Sequence, residues 1–271
     1  MIGDIRDREA LTEASVGVDS LFHLAALKHV PVCEDQPNEA FKTNVLGTKH
    51  VIDVAIKEGV KNVIYISTDK AVDPTNFYGL TKAMGEKLII HANQIQSNTK
   101  FVCIRGGNVL GTNGSVVPIF KQQIAEKSKI ILTNENMTRF FLTLEDAIKL
   151  IFKAVAESIG GEIFVMKMPS CKITELAAVL IDASGKEDVK FDVSGIRPGE
   201  KLHEVLFSEN ESRRTVYYDD EYFVILPTLE IKGLKDYYSH YENVDLLKYS
   251  SSAASMTKAE IKEMLMKGGF I

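Results

Sequence analysis

The sequence predicts an α/β fold built on a doubly wound parallel sheet, followed by a second, smaller lobe. Short apolar runs rich in β-branched residues alternate with longer helical segments, which is the order of a βαβ protein. The run at residues 63–67 is apolar almost throughout, as expected of a strand covered on both faces. A chain of 271 residues is long enough for one large domain or two modest ones.

The predicted elements follow in a regular order up to about residue 110. Strands are predicted at residues 21–24, 63–67 and 101–104, because each is a short apolar run. Helices are predicted between them at about 38–58 and 76–92. The alternation is that of a doubly wound sheet.

Beyond Gly111 the predicted elements become shorter and less regular. Helices are expected at about 117–126, at 144–156 and from Thr174, with a strand at 162–165. The predicted division of the chain is 1–110, 111–228 and a C-terminal extension at 229–271.

The extension is richer in Lys, Glu, Tyr and Ser than the rest of the chain. Three consecutive serines at 250–252 predict a flexible stretch. Thr257 and Glu260 form a capping box for a last short helix, which Gly268 would end.

The composition is that of a soluble cytoplasmic protein. Hydrophobic residues make up 45% of the chain and charged residues 25%, with a net charge of -5, so nucleic acid is not expected as a partner. Cys33, Cys103 and Cys171 are widely separated, which predicts thiols in a reducing compartment rather than a disulfide framework. No apolar leader or membrane-spanning run is predicted, and no metal site is expected from the His and acidic spacing.

The most informative polar residues follow the predicted strand at 63–67. Tyr78 and Lys82 lie four residues apart, on one face of the predicted helix. A phenol has an ordinary pKa of about 10, and a neighbouring ammonium favours its phenolate. Such a pair suits removal of a proton from an alcohol or sugar hydroxyl while hydride leaves the same carbon. Tyr-x-x-x-Lys also occurs by chance, so its position after a buried strand is what favours catalysis.

The stretch Ser67-Thr68-Asp69-Lys70-Ala71-Val72-Asp73-Pro74, with Tyr78-Gly79-Leu80-Thr81-Lys82, resembles the extended short-chain dehydrogenase/reductase superfamily. More narrowly, it resembles the UDP-N-acetylglucosamine 4,6-dehydratases of bacterial polysaccharide and flagellin-sugar synthesis. Further matching segments span about residues 3–227 in the family's order: GDIRD at 3–7, HLAALKHVP at 23–31, TNVLGT at 43–48, RGGNV at 105–109, GSVVP at 114–118, MTRFF at 137–141 and RPGEKLHE at 197–204.

The resemblance implies a reaction and a role for each residue of this stretch. NADP would take hydride from carbon 4 of the sugar while Tyr78 takes the hydroxyl proton, with Lys82 lowering the pKa of the tyrosine and holding the nicotinamide ribose. Lys70 is then the candidate base for carbon 5, and Asp69 the candidate acid for the departing carbon 6 hydroxyl. A lysine at position 70 resembles the members that invert carbon 5. The alternative interpretation of Asp69 and Lys70 is a solvated charge pair at a strand end.

The resemblance also implies contacts to cofactor and substrate. Cofactor contacts are expected from Asp4, Ile5, Ala25, Ala26, Lys28, Ser67, Tyr78 and Lys82. Contacts to a UDP-sugar are expected from Thr68, Asn108, Val117, Arg139, Arg197 and Glu200. Guanidinium groups suit a diphosphate and a carboxylate suits a ribose diol, although Arg197 and Glu200 would equally form a surface ion pair.

Three other polar residues are interpreted differently. Asn44 is implied to support the active-site strand, and His23 is predicted to be a core histidine with a hydrogen-bond partner. Gly106 stands where the family more often has a larger side chain, so Arg105 is not assigned to the site.

The glycine-rich turn that holds a cofactor pyrophosphate is not found in this sequence, which contains no G-x-G-x-x-G. By resemblance, residues 3–7 follow the third strand of a Rossmann-like fold. The expectation is therefore a Rossmann-like sheet lacking its first βα units, with residues 1–110 as a partial dinucleotide-binding domain and 111–228 mainly as a substrate-binding lobe. NADP is the expected cofactor, with NAD also open.

Three functions remain open at this point. The first is an inverting UDP-N-acetylglucosamine 4,6-dehydratase, and the second is a nucleotide-sugar 4-epimerase or reductase on the same fold. The third is an inactive fragment that acts only as a binding module. The resemblance further implies a homo-oligomer.

Overall fold

The computed structural model describes residues 1–95, 98–112 and 114–271. The helices are α1 Arg8–Ser15, α2 Val30–Asp35, α3 Pro37–Phe41, α4 Gly47–Glu58, α5 Phe77–Ala92, α6 Val116–Lys127, α7 Leu144–Glu157, α8 Ile173–Ser184, α9 Glu209–Ser212, α10 Leu234–Tyr237 and α11 Lys258–Lys267. The strands are β1 Ser20–His23, β2 Asn62–Thr68, β3 Lys100–Gly106, β4 Asn108–Val109, β5 Lys129–Leu132, β6 Thr138–Leu142, β7 Ile163–Met166, β8 Ser170–Lys172, β9 Lys190–Val193, β10 Val205–Phe207, β11 Thr215–Tyr217, β12 Tyr222–Ile225 and β13 Tyr249–Ser250.

The chain folds as two compact units, neither of which is contiguous in sequence. The first unit comprises 1–106, 151–167 and 206–248, and the second comprises 107–150, 168–205 and 249–271. These boundaries differ from the predicted ranges because β7 pairs with β3 and so joins the first unit, although residues 107–150 lie between the two strands. The predicted extension is likewise divided between the units.

The first unit contains a six-stranded sheet in the order β1-β2-β3-β7-β12-β11. Strands β1, β2, β3 and β7 pair in parallel in that order, whereas β12 pairs antiparallel with both β7 and β11. The parallel strands with their intervening helices confirm the predicted α/β fold. The antiparallel edge at 215–225 was not predicted, because its two strands are only three and four residues long.

Strand β2 lies inside this sheet, between β1 and β3. Val63 and Ile64 are completely buried, which confirms the prediction of a strand covered on both faces. Its parallel pairing on both sides directs the carboxyl end, at Thr68, towards the edge where ligands bind in open α/β sheets.

The predicted helix at 38–58 is interrupted. Helix α3 ends at Phe41, and a π-helical turn at Lys42–Leu46 separates it from α4. The N–H of Gly47 donates to the carbonyl of Lys42, five residues earlier. The apolar periodicity of the segment does not reveal this wider turn, and π-turns inside helices are frequent at functional sites.

The second unit has its own core, formed by α6, α8 and α11 against short strands. Val117, Phe120, Ile130, Leu176 and Ile261 are among its buried side chains. Strand β6 pairs in parallel with β4 and antiparallel with β8, and β5 pairs in parallel with β9.

The end of the chain confirms one prediction and contradicts another. The capping box of Thr257 and Glu260 is present, and α11 ends before Gly268 as predicted. The prediction that residues 250–252 are flexible is contradicted at Ser250 and Ser251, which are buried, whereas Ser252 is exposed. Ser251 is fully buried, with its hydroxyl 2.7 Å from the Thr138 hydroxyl and accepting from the N–H of Glu204 at 3.0 Å. Ser250 and Ser251 therefore provide buried hydrogen-bonding groups.

Two further features follow from the described residues. Cys33, Cys103 and Cys171 are all buried thiols. None of the helices in the described part of the chain combines the length and the apolar character needed to cross a bilayer.

Candidate active site

Asp69 begins a 3₁₀ turn immediately after β2, and its carboxylate is held by both of its neighbours. Thr68 Oγ1 donates to Asp69 Oδ1 at 2.9 Å, and Lys70 Nζ donates to the same oxygen at 3.0 Å. The Asp69 side chain is 1% exposed and that of Lys70 26% exposed. The two groups therefore form a hydrogen-bonded acid-base pair that is largely withdrawn from solvent.

Two buried polar atoms at this end of β2 have no hydrogen-bond partner among the residues that the structure describes. They are the second carboxylate oxygen of Asp69, Oδ2, and the hydroxyl oxygen of Ser67. Buried polar groups are nearly always hydrogen-bonded, so such atoms call for an explanation such as a bound ligand or water. This property fits a site that receives polar groups of a ligand.

Helix α5 begins close to this turn because of two local features. Asn76 caps the helix, its side-chain oxygen accepting from the N–H of Gly79 at 2.8 Å. A Cβ on Gly79 would lie 2.2 Å from the carbonyl oxygen of Lys70. Only glycine allows the backbone of α5 and the backbone of the turn to approach so closely.

Replacing Gly79 by alanine should therefore destabilise the protein although alanine favours helices. We expect a loss of about 1–3 kcal/mol, because the added methyl group meets backbone that cannot rotate away. The measurement is the Tm by circular dichroism, with Lys87→Ala, at an exposed position of the same helix, as the control. An unchanged or higher Tm for Gly79→Ala would contradict the close approach.

Tyr78 is buried beside Cys33 and Ala40 at the start of α5. Burial raises the pKa of Tyr78 to about 12, and the positive charge of Lys70 and a hydrogen bond with Thr68 oppose this rise. From the sequence, the lowering of the tyrosine pKa was expected from Lys82. In the structure the ammonium with the largest lowering effect on the pKa of Tyr78 is that of Lys70.

Lys82 is 3% exposed and lies one turn further along α5. Its Nζ donates to the carbonyl of Ile66 at 2.6 Å and lies 3.8 Å from the centroid of the Tyr65 ring. Burial lowers the pKa of Lys82 to about 8, against the opposing charge of Glu86. The ammonium is thus anchored to β2 beside the strand end.

Asn44, in the π-helical turn, ties together two segments of the site. It accepts from the N–H of Leu27 at 2.8 Å and donates to the carbonyl of Leu27 at 2.9 Å. It also donates to Thr81 Oγ1, which in turn donates to the carbonyl of Tyr78. His23 is 2.8 Å from Thr48 Oγ1, as expected of a core histidine with a partner. Asn44 thus braces α5 against the loop after β1.

Part of the predicted cofactor set lines one cavity at the open edge of β1. Ile5 and Ala25 both line this cavity of about 310 Å³, while Ala26 and Lys28 lie further along the same loop. The Asp4 carboxylate is paired with Arg6 at 2.6 Å. The structure therefore brings Ile5 and Ala25 together, and places Ser67, Tyr78 and Lys82 at β2 and α5.

The predicted substrate residues other than Thr68 lie in the second unit. Asn108 is in β4 and pairs with Phe141. Val117 is completely buried in the core of this unit, so its side chain is not exposed to a ligand. Its backbone N–H belongs to the first turn of α6, where such groups lack helical partners.

Arg139 is buried and its guanidinium is already engaged. It donates to the carbonyls of Thr138, Leu202 and Lys201. Ion pairs with Glu200 at 3.4 Å and Glu204 at 3.6 Å complete this set of contacts. These contacts favour a role in holding the 200–204 segment.

Arg197 and Glu200 are joined through the backbone of Arg197. The backbone N–H of Arg197 donates to Glu200 Oε2 at 3.4 Å, while the other oxygen of Glu200 faces Arg139. The Arg197 side chain is exposed. The carboxylate therefore orders the turn in which Arg197 lies.

A buried charge cluster that was not predicted from the sequence lies beside the site. Arg105 is 1% exposed and bonds both carboxylate oxygens of Glu86 and both of Glu211. These carboxylates raise the pKa of Arg105 against the effect of burial. An arginine ending an apolar strand was a usable signal, since a buried guanidinium needs carboxylate partners.

Replacing Arg105 by methionine should cost about 3–5 kcal/mol, because it leaves the charges of Glu86 and Glu211 without their partner. Urea unfolding measures this loss, and Arg213→Met, at an exposed arginine, is the control. Equal stability of the two variants would show that the cluster is not needed for folding.

Comparison with known proteins supports the relation suggested by these motifs. The chain is 46% identical over 233 residues to an inverting UDP-N-acetylglucosamine 4,6-dehydratase of Campylobacter jejuni, covering 85% of this chain and 68% of that protein. It is 38% identical over 274 residues to a UDP-glucose 4-epimerase of Rickettsia canadensis, covering 100% of this chain and 80% of the relative.

Solved structures share the fold. Pen from Bacillus thuringiensis matches 100% of this chain and 81% of its own, with a TM-score of 0.90 and 36% identity. A dTDP-glucose 4,6-dehydratase from Streptomyces venezuelae, solved with NAD, matches 74% of this chain and 68% of its own, with a TM-score of 0.69 and 23% identity. The sequence model of the polysaccharide biosynthesis protein family matches residues 1–226. The chain therefore belongs to the polysaccharide biosynthesis protein family, among the nucleotide-sugar dehydratases and epimerases.

Proposed function

We propose that this protein is an NADP-dependent dehydratase that removes water from carbons 5 and 6 of UDP-N-acetylglucosamine, with inversion at carbon 5. The product would be a 4-keto-6-deoxy sugar nucleotide for surface polysaccharide or glycan synthesis. The observation that carries the proposal is the hydrogen-bonded pair of Asp69 and Lys70, placed beside Tyr78 by the turn after β2. The similarity to the Campylobacter jejuni enzyme supports the substrate.

The residues present fit a nicotinamide dinucleotide in part. Ile5 and Ala25 line a cavity at the β1 edge, and Ser67 supplies a buried hydroxyl without a partner. Tyr78 and Lys82 would hold the nicotinamide end of the cofactor. When bound, the nicotinamide supplies a reversible hydride acceptor, which allows oxidation at carbon 4 and reduction at carbon 6. We propose NADP as the cofactor. Because a protein of related fold was solved with NAD, the experiment below uses both cofactors.

Tyr78 would take the proton of the carbon 4 hydroxyl. In the protein alone its pKa of about 12 keeps it protonated at neutral pH. Its proton must therefore pass to solvent water before the phenolate can act as a base. The charge of Lys70 and the hydroxyl of Thr68 assist because both lower this pKa. The oxidised sugar then carries a ketone, which acidifies the hydrogen on carbon 5.

Asp69 and Lys70 would carry out the elimination. Lys70, as the neutral amine, takes the carbon 5 proton, and Asp69 in its acid form donates a proton to the carbon 6 hydroxyl, which leaves as water. The bond between Lys70 Nζ and Asp69 Oδ1 offers a route for moving a proton from the lysine to the acid before elimination. The carboxyl group would then turn, so that the protonated oxygen takes the position of Oδ2, which has no hydrogen-bond partner among the described residues, and donates to the departing hydroxyl.

The test is incubation of the protein with UDP-N-acetylglucosamine and either NADP or NAD in deuterated water. Mass spectrometry should show a product that has lost one water, and NMR should show solvent deuterium at carbon 5 of the inverted configuration. A dehydrated product with retained configuration would reject the inverting assignment. Binding without any turnover would favour a role as a binding module.

The second candidate is a nucleotide-sugar 4-epimerase. The similarity to the Rickettsia canadensis relative along the whole of this chain favours it. An epimerase would return a product of unchanged mass with the carbon 4 hydroxyl inverted, and it would leave carbon 5 undeuterated. The same experiment therefore separates the two functions.

We propose that the first unit carries the cofactor, since it contains the β1 edge cavity and the Tyr78 helix. Within the second unit, taken by itself, the exposed Arg197 is the candidate contact for a diphosphate and Asn108 the candidate for a polar contact.

A further inference from the structure

An aromatic ring lies against the ammonium of Lys82. Tyr65, in the centre of β2, is 1% exposed, and its ring centroid is 3.8 Å from Lys82 Nζ. The same ammonium donates to the carbonyl of Ile66, the next residue of the strand. A desolvated cation on the face of an aromatic ring is attracted by the negative potential of that face. The lysine is thus held by two neighbouring groups of one strand.

Gly85 makes room for this ring. A Cβ on Gly85 would lie 2.1 Å from the hydroxyl oxygen of Tyr65 and 2.6 Å from its Cζ. Lys82 and Gly85 are three residues apart and so lie on one face of α5. Glycine inside a helix is unfavourable, and the space taken by the Tyr65 ring accounts for it at this position.

The other groups facing Lys82 come from three elements. Glu86 on α5 raises the pKa of the lysine through its negative charge, whereas burial raises the pKa of the Cys103 thiol on β3 and keeps it uncharged. The charge of the lysine lowers the pKa of His23 on β1. Burial lowers the pKa of His23 to about 3 and raises that of Tyr65, so both rings stay neutral near physiological pH. Glu86 also forms an ion pair with Arg105 at 2.6 Å, so its carboxylate interacts with two cations, Arg105 and Lys82.

We propose that Tyr65 is a positioning residue, whose ring keeps the Lys82 side chain charged and directed along the carboxyl end of β2. This inference rests on the proposed function, in which Lys82 holds the nicotinamide ribose beside Tyr78. The ring has no part in proton transfer and acts only through Lys82. The Tyr-x-x-x-Lys spacing does not reveal it, because Tyr65 lies on another element of the fold.

The test compares Tyr65→Phe, which keeps the ring, with Tyr65→Met, which removes it while keeping much of the volume. The titration of Lys82 is followed in the full chain by NMR of ¹³Cε-labelled lysine, with Lys82→Arg to assign the signal. We expect the Phe variant to titrate close to the wild type. The Met variant should titrate lower by about one pH unit, since the ammonium loses its interaction with the ring.

Unfolding measurements accompany both variants. If Tyr65→Met does not fold, the double variant Tyr65→Leu with Gly85→Ala replaces it, because the alanine methyl fills part of the space that the ring leaves. A ringless, folded variant in which Lys82 titrates as in the wild type would overturn the proposal. An equal shift in the Phe variant would also overturn it, since the hydroxyl rather than the ring would then be responsible.

This experiment needs neither substrate nor cofactor, so it is independent of the proposed function. Absence of dehydration together with the predicted titration would reject the function and leave the ring's effect on Lys82 standing. In an active protein, the pH profile of kcat should move in the Met variant and be restored by Phe. A merely structural role of Tyr65 would lower the amount of folded enzyme without moving that profile.

Discussion

Replacing Tyr78 by phenylalanine is expected to lower the rate of dehydration by about 10²–10⁴-fold, because the phenol is the group that takes the carbon 4 proton. The ring would remain beside Cys33 and Ala40, so the fold should be kept. The measurement is the initial rate of 4-keto product formation from UDP-N-acetylglucosamine. Affinity for the sugar nucleotide should change much less, since the hydroxyl acts on the reacting atom.

The control for this variant is Tyr237→Phe. Tyr237 is 38% exposed and lies in α10, so it loses the same hydroxyl at a position outside the candidate site. Wild-type activity in Tyr78→Phe would contradict the assigned role of the phenol. A similar loss in both variants would point to a general effect of removing tyrosine hydroxyls.

Replacing Lys70 by arginine is expected to lower the rate of hydrogen exchange at carbon 5 by a comparable factor, about 10²–10⁴-fold. Arginine keeps the positive charge beside the buried Asp69 carboxylate, but a guanidinium does not lose its proton in proteins. Stability should therefore stay close to that of the wild type while base catalysis is lost. The measurement is incorporation of solvent deuterium at carbon 5, followed by NMR together with the Tm.

Two further variants serve as controls for Lys70→Arg. Lys61→Arg changes the same residue type in an exposed ion pair with Asp19, and it should leave both exchange and Tm unchanged. Lys70→Met should lose both exchange and stability, because the Asp69 charge is then buried without its partner. Deuterium incorporation by Lys70→Arg at the wild-type rate would remove Lys70 as the base.

The strand and helix that carry the site were predicted within one or two residues. Strand β2 is recognisable because a parallel strand covered on both faces is apolar at successive positions. Helix α5 is recognisable because its start carries a capping asparagine after a proline-containing loop. These signals lie within a few residues of the structure they specify, so a single sequence is sufficient to read them.

The interruption at Lys42–Leu46 was not predictable from the same kind of signal. Asn44 turns its amide to the backbone of Leu27 and to Thr81, and both partners come from segments distant in sequence. The spacing of apolar residues in a helix indicates which side faces the core, but it does not indicate hydrogen-bond partners in distant segments. The single predicted helix therefore became two helices with a π-turn between them.

The partners of the two buried arginines, Arg139 and Arg105, were the contacts that the sequence predicted least well. Arg139 was expected to meet a diphosphate, yet its guanidinium is occupied by three carbonyls and two carboxylates of its own unit. Arg105 was left out of the site and forms a buried cluster with Glu86 and Glu211. Residue type indicates what an arginine can bind, whereas only its neighbours decide what it does bind.

The sequence by itself determined the family and the fold, and the order of chemical groups from Ser67 to Lys82. It could do so because those groups lie within one strand, one turn and one helix, whose local geometry follows from residue spacing. The tertiary structure decided which ammonium acts on Tyr78, because burial and charges from other elements set the pKa of a phenol. It also decided what holds Lys82, because the ring of Tyr65 and the space above Gly85 come together only when β2 and α5 pack against each other.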